Sequence, residues 1–238
     1  EGANIIYTDS IPLLALFDKI IFKLTGEWFN YFGFWVFSCF ILLALFAVRA
    51  IKEVRCQDVV AGVGVAVFAL CCPALLWRFG HAALMGQFLI VWSLFLYLRF
   101  QNTSQLRYFS LQFALVASLS ILLQTYFLLM VLPFFVAGIF QTTFEKRISV
   151  LQAASSFFVV FASILLTGLI AGIIGPHSPV ATMFGFGYYS MNLLSPFLPE
   201  AHHLPHFVAK HVTWDGNKYL WDATGGQYEG YNYFGAGI

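Results

Sequence analysis

Residues 31–48 read Tyr31-Phe32-Gly33-Phe34-Trp35-Val36-Phe37-Ser38-Cys39-Phe40-Ile41-Leu42-Leu43-Ala44-Leu45-Phe46-Ala47-Val48, and the first charge after them is Arg49. A helix rises ~1.5 Å per residue and the hydrocarbon core of a bilayer is ~30 Å thick, so this stretch predicts a membrane-spanning helix. Five more apolar stretches follow: Val59–Leu76, Ala82–Leu98, Tyr108–Leu122, Thr125–Phe140 and Val150–Ile174. Only Leu123-Gln124 parts the fourth from the fifth. The chain therefore reads as an all-α polytopic membrane protein of about six transmembrane helices, with an interfacial helix and a long polar loop. Composition agrees: 60% of residues are hydrophobic, 10% are charged and the mean hydropathy is +0.80. Soluble domains carry roughly 25% charged residues. A soluble core of this length does not hide 28 Phe, and lipid is the solvent that accepts them.

Charge gives the topology. Arg49, Lys52 and Arg55 follow the first stretch, Arg99 and Arg107 flank the link after the third, and Lys146 and Arg147 follow the fifth. These links hold seven of the 12 Lys and Arg, and short basic links mark the cytoplasmic side. The polar head (1–30), the turn Trp77–His81, the turn at Gln124 and the long loop 176–231 then face outward. Residues 232–238 begin a further transmembrane helix. Asn102-Thr103-Ser104, an N-glycosylation pattern, falls on the inner side and reads as coincidence. A net charge of +1 gives no case for nucleic acid. Three of the four Cys (Cys39, Cys71, Cys72) lie in apolar stretches and Cys56 in a short link, so neither a disulfide framework nor zinc spacing emerges. No cleavable signal peptide is visible at the start. The chain begins without Met and stops at Gly237-Ile238 within a new apolar run, which points to a fragment of a longer protein.

Candidate chemistry sits in the outward segments. Ile11–Leu24 is too short to span and suits an interfacial helix, with Asp18, Lys19 and Lys23 near one face and Leu13, Leu14, Phe17, Ile20 and Ile21 mostly on the other. Asp9 or Ser10 can cap it, and Pro12 fits its first turn. Asp9 is the first catalytic candidate: a carboxylate there can act as general base or hold a metal that orients a phosphate, and capping is compatible with either. Asp18 reads as a solvated residue of the same helix. Arg78 is the one charge in Trp77-Arg78-Phe79-Gly80-His81; its planar fork suits phosphate or carboxylate, and His81 can donate beside it. The plainer reading is an Arg that snorkels to headgroups. Gln87 lies about two turns into the next stretch, a place where a polar side chain usually faces the protein interior. The long loop carries five of the six His. His202, His203 and His206 resemble a metal site, but Pro205 breaks the helical register that such ligands need, so no metal site is assigned. Tyr228 and Glu229 stand among Gly and Tyr just before the chain re-enters the membrane, where aromatics suit sugar stacking or an interfacial belt. Asp215 and Asp222 are further carboxylates, left unranked. Gly168 and Gly172 form a small-residue pair that allows close helix approach.

Five of these segments occur in a fixed order: Thr8-Asp9-Ser10-Ile11-Pro12-Leu13-Leu14-Ala15-Leu16-Phe17, Tyr31-Phe32-Gly33-Phe34-Trp35, Leu76-Trp77-Arg78-Phe79-Gly80-His81, Met191-Asn192-Leu193-Leu194-Ser195-Pro196-Phe197, and Gly226-Gln227-Tyr228-Glu229-Gly230-Tyr231-Asn232-Tyr233. In that order they resemble a family of bacterial polytopic membrane proteins without an assigned activity, itself similar to the type C glycosyltransferases. The resemblance covers nearly the whole chain. It implies a type C glycosyltransferase-like fold in the bacterial inner membrane, a polyprenyl-phosphate-linked sugar and membrane lipid as partners, and a divalent cation as the one cofactor to consider. It further implies that Asp9 is catalytic or stands beside a catalytic acid preceding Glu1, that Arg78 meets the lipid phosphate, and that Glu229 or nearby aromatics contact a sugar.

Two other classes fit the residues. A polytopic transporter would use polar side chains at depth, for which Gln87 and Gln124 leave room, although no ionisable residue falls mid-span. A non-catalytic subunit of an envelope-assembly machine would pack a partner against the Gly168 and Gly172 face.

Overall fold

The computed structural model describes residues 11–54, 56–174, 213–214 and 218–219, without the side chains of 73, 74, 77, 79 and the last four. The head before Ile11 and most of the expected domains 176–231 and 232–238 lie outside the described residues. Two units divide the chain, one of Glu1–Leu70 with Arg78–Ser178 and one of Cys71–Trp77 with Pro179–Ile238.

The first unit is helical. Its elements are α1 (Pro12–Thr25), α2 (Phe32–Glu53), α3 (Val59–Leu70), a short 3-10 turn (Ala82–Met85), α5 (Phe88–Thr103), α6 (Leu106–Leu123), α7 (Tyr126–Phe144) and α8 (Val150–Ile170), and a second 3-10 turn, Trp77–Gly80, enters it at Arg78. In the second unit the described elements are α4 (Pro73–Leu76) and an antiparallel pairing of Thr213 with Tyr219 and Trp214 with Lys218, which the sequence reading did not expect.

Five helical segments are long and apolar enough to cross a membrane: Phe32–Glu53, Ala82–Thr103, Leu106–Leu123, Tyr126–Phe144 and Val150–Ile170. The protein is a multi-pass membrane protein. The second expected span, Val59–Leu76, is corrected: α3 stops at Leu70 after 12 residues and α4 is a single turn. Pro73 explains the break, since it has no N–H to continue the ladder and clashes with the preceding turn. At ~1.5 Å per residue α3 covers only ~18 Å. The third span also differs, because its first turn is 3-10 and regular helix starts at Phe88. The boundary at Leu123-Gln124 is a real turn: α6 ends there and α7 starts at Tyr126.

Packing runs α2 on α5 and α3, α5 on α6 and α7, and α6 on α8. The centre is aromatic. Phe109 stacks on Phe100 with ring centroids 4.1 Å apart and meets Phe113 at 4.7 Å and Phe135 at 5.7 Å. All four rings are fully buried. Gly138 admits Phe109, whose Cζ lies 2.7 Å from where a β-carbon would stand. Outward faces remain apolar, with Phe68, Leu129, Phe158 and Ile170 among the exposed side chains, as lipid contact requires.

The basic links gather at one end. Asn102 Nδ2 donates to the carbonyl oxygen of Glu53 at 2.7 Å, and Arg147 reaches the Gln101 carbonyl at 2.6 Å and Ser104 Oγ at 3.0 Å. Arg147 also pairs with Glu145 at 2.6 Å. Asn102 is thus a structural tie between α5 and the end of α2. At the start of α8, Ser149 and Gln152 form a reciprocal capping box.

The small-residue reading of Gly168 and Gly172 is corrected as well. Gly172 lies past the end of α8 at φ +74. Its N–H bonds the Leu169 carbonyl at 3.1 Å, and Ile173 N–H bonds the Gly168 carbonyl at 2.9 Å. This is a Schellman cap, in which glycine takes the left-handed conformation that closes the helix. The chain's own Ile174 covers Gly168.

Candidate functional site

The end of the first unit opposite the basic links is organised by the first two turns of α2. α1 begins with Pro12 at its first position, and its N-cap is Ile11, with no side-chain cap. Neither Asp9 nor Ser10 holds the N-cap position, and both lie outside the described residues. α1 ends at Gly26 in the left-handed conformation, after which the chain folds back and Trp28 stacks on Phe22 at 4.1 Å.

The fold-back brings Phe29 N–H to Asp18 Oδ1 at 2.7 Å. Asp18 is 9% exposed, which corrects its reading as a solvated residue. Leu16, Phe17, Ile20 and Leu24 face out together with Lys19 and Lys23, and of the three charges Asp18 alone faces the protein. In a lipid setting an outward apolar stripe is the satisfied face, and a carboxylate needs protein donors. Phe29 N–H uses one of its roughly four acceptor positions.

Tyr31 lies beside it. Burial pushes the Tyr31 phenol above its ordinary value, the Asp18 charge pushes it further, and a hydrogen bond with the Ile11 backbone opposes both. One turn on, Trp35 is buried, and its indole Nε1 donates to the Ala82 carbonyl at 2.7 Å. Trp35 also meets Phe88 edge-on, with centroids 6.1 Å apart. These contacts dock the segment from Arg78 to Phe88 on the start of α2.

That segment carries three of the residues singled out from the sequence. Arg78 and His81 are half-buried within one tight turn, where His81 N–H donates to the Arg78 carbonyl at 2.9 Å. Both engage other groups of the chain. Gln87 is not two turns into a helix; it is the N-cap of α5, half-buried, with no side-chain cap bond. The 3-10 turn before it causes the shift. The geometry therefore brings Arg78, His81 and Gln87 into one segment. It adds Asp18, which a stripe of Leu16, Phe17, Ile20, Ile21 and Leu24 with one acid behind it could have signalled. Tyr228 and Glu229 lie outside the described residues, as do His202, His203, His206, Asp215 and Asp222. Among the described residues no three His, Cys, Asp or Glu side chains come together as a metal site.

Chemically, this end offers a buried carboxylate, a phenol held protonated, a guanidinium and an imidazole. No curated protein and no solved structure matches the chain. The model of one family, DUF6311, described as a domain of unknown function, matches residues 1–238, and the chain belongs to that family.

Proposed function

We propose that this chain is a membrane-embedded, type C glycosyltransferase-like protein that takes a sugar from a polyprenyl-phosphate donor at the outer face of the bacterial inner membrane. One observation carries the reading: Ala82, next after the Arg78–His81 turn, is held by Trp35 in the first turns of α2, and the buried Asp18 is held by Phe29 just before that helix, at the end away from the basic links. Basic links on the cytoplasmic side put that end outward. A donor whose phosphate sits at the interface and whose tail lies in lipid reaches such a site without leaving the membrane.

In this reaction a carboxylate, Asp9 or its neighbour, takes the proton of an acceptor hydroxyl. The acceptor oxygen then forms a bond to the anomeric carbon as the bond from that carbon to the phosphate oxygen breaks. Arg78 stabilises the departing polyprenyl phosphate through charged hydrogen bonds, and His81 donates beside it. Asp18 orients the head through Phe29. Tyr228 and Glu229 contact the sugar.

The test is turnover of a panel of polyprenyl-phosphate sugars by the full-length protein in lipid, with Asp9→Asn and Arg78→Ala beside it. Transfer lost in both variants, with insertion intact, supports the site. Unchanged turnover in both sinks it. No turnover of any donor together with saturable uptake in liposomes favours transport.

A further inference from the structure

We propose that the groove between the start of α6 and the first turns of α8 binds the headgroup of an anionic phospholipid, with Arg107 on its phosphate. Two adjoining hollows of about 330 and 500 Å3 share Leu106, Arg107 and Leu111. They lie among the basic links and so are independent of the transfer reading. Ser155 and Val159 of α8 line the first, and Tyr108 lines the second.

Charge selects the ligand. The described acids at this end are engaged: Glu145 by Arg147 and Gln141, Glu53 by Asn102, and Asp58 by the first amides of α3. Arg107 is exposed and has no ion pair among the described residues. Arg99 lies 5.1 Å over the Tyr108 ring, and its Nε is buried without an acceptor. Arg107 and Tyr108 line one hollow with Arg99 over the ring, and among the described residues neither guanidinium pairs with a carboxylate. Leu106 N–H is taken by the Ser104 carbonyl at 2.9 Å, and the next amides of α6, like those of any helix start, lack intrahelical acceptors and favour an anion.

Shape selects a lipid over a free anion. Below Arg107 the groove turns apolar, and its floor is satisfied, because Ser110 Oγ donates to Ser156 Oγ at 2.9 Å. Leu111 and Leu115 of α6 and Phe158 and Val159 of α8 continue an exposed apolar strip away from the basic end. A phosphate needs only the top of this groove; an acyl chain uses the rest.

Native mass spectrometry of the full-length protein, titrated with phosphatidylglycerol or phosphatidylcholine, tests this. Wild type should hold phosphatidylglycerol in preference to phosphatidylcholine. Arg107→Ala should weaken phosphatidylglycerol about tenfold, the loss of one charged hydrogen bond. Val159→Trp, which fills the apolar part, should lower retention with Arg107 intact. If Arg107→Ala does not insert, Arg107→Gln gives the same reading. Equal binding of the two lipids overturns the proposal, as does wild-type affinity in the Arg107 variant. Displacement of the lipid by an equal concentration of inorganic phosphate also overturns it, by showing an anion site with no use for a tail.

Discussion

The indole Nε1 of Trp35 donates to the carbonyl oxygen of Ala82 across 2.7 Å, from a side chain that is 5% exposed. The bond ties the first long span to Ala82, 47 residues on and next after the turn that carries Arg78 and His81. Trp35→Phe keeps a ring against Phe88 and strands the carbonyl. A lost partner at a buried polar group costs about 1–3 kcal/mol. The thermal midpoint in detergent should fall, and any transfer activity should fall further than Trp35→Phe folding alone accounts for, because Arg78 is displaced.

Tyr31 sets a limit at high pH. Its phenol titrates above the ordinary 10.0, mainly through burial and secondly through the Asp18 charge. The protonated form is favoured in the folded state, so its contribution is complete below pH 10 and is lost as pH rises through the raised value. Unfolding of wild type against Tyr31→Phe above pH 10 should show the steeper loss in wild type. Asp18→Asn, which removes the charge and keeps the acceptor for Phe29, should lower the phenol's titration.

At the basic end the sign reverses. The Gln141 side-chain amide holds the Glu145 carboxyl below its ordinary 4.5, and Arg147 adds to this. The charged form is favoured when folded, so this contribution is present above pH 4.5 and is lost as pH falls through the lowered value. Glu145→Gln should flatten the acid limb of the stability curve and leave neutral pH little changed, since the carboxylate is exposed.

Gly138→Ala should destabilise. The new methyl would meet Phe109 Cζ at 2.7 Å, and that ring cannot retreat because it is stacked on Phe100 at 4.1 Å. Overpacking of about 1–3 kcal/mol exceeds the ~1 kcal/mol that alanine adds to a helix. A lower unfolding midpoint checks it; a raised one would show a looser aromatic core.

Gly172→Ala should cost about 1 kcal/mol through left-handed strain at φ +74. Since Gly172 closes the helix, Gly172→Leu should act on stability and leave any co-purifying subunit in place. Loss of a partner at unchanged stability would restore the packing role first read from the sequence.

Much of the fold was legible because uncharged length and basic links obey the bilayer directly. Tyr31–Val48 and the Leu123-Gln124 turn are cases in point. α3 was misread because hydropathy counts Cys71-Cys72-Pro73 as apolar, whereas the backbone counts Pro73 as a break. Asp18 was misread because a soluble habit, acids outward, was applied to a helix whose solvent is lipid. The Ser149-Val150-Leu151-Gln152 capping box is readable from its spacing alone. Arg78 and His81 were placed together by adjacency; their docking through Trp35 needed tertiary structure.

α6 and α8 run parallel, and hydroxyls join them at two depths. Ser110 meets Ser156 and, further along, Thr167 Oγ1 donates to Ser118 Oγ, each at 2.9 Å. Such bonds contribute about 0.6–2 kcal/mol apiece where no water competes. Their larger effect is on motion. A piston-like slide of one turn, ~5.4 Å, would break both pairs at once and leave Ser110 and Ser156 only the carbonyls of Leu106 and Gln152 in their own helices. The two helices are therefore keyed to a single register and travel as one body.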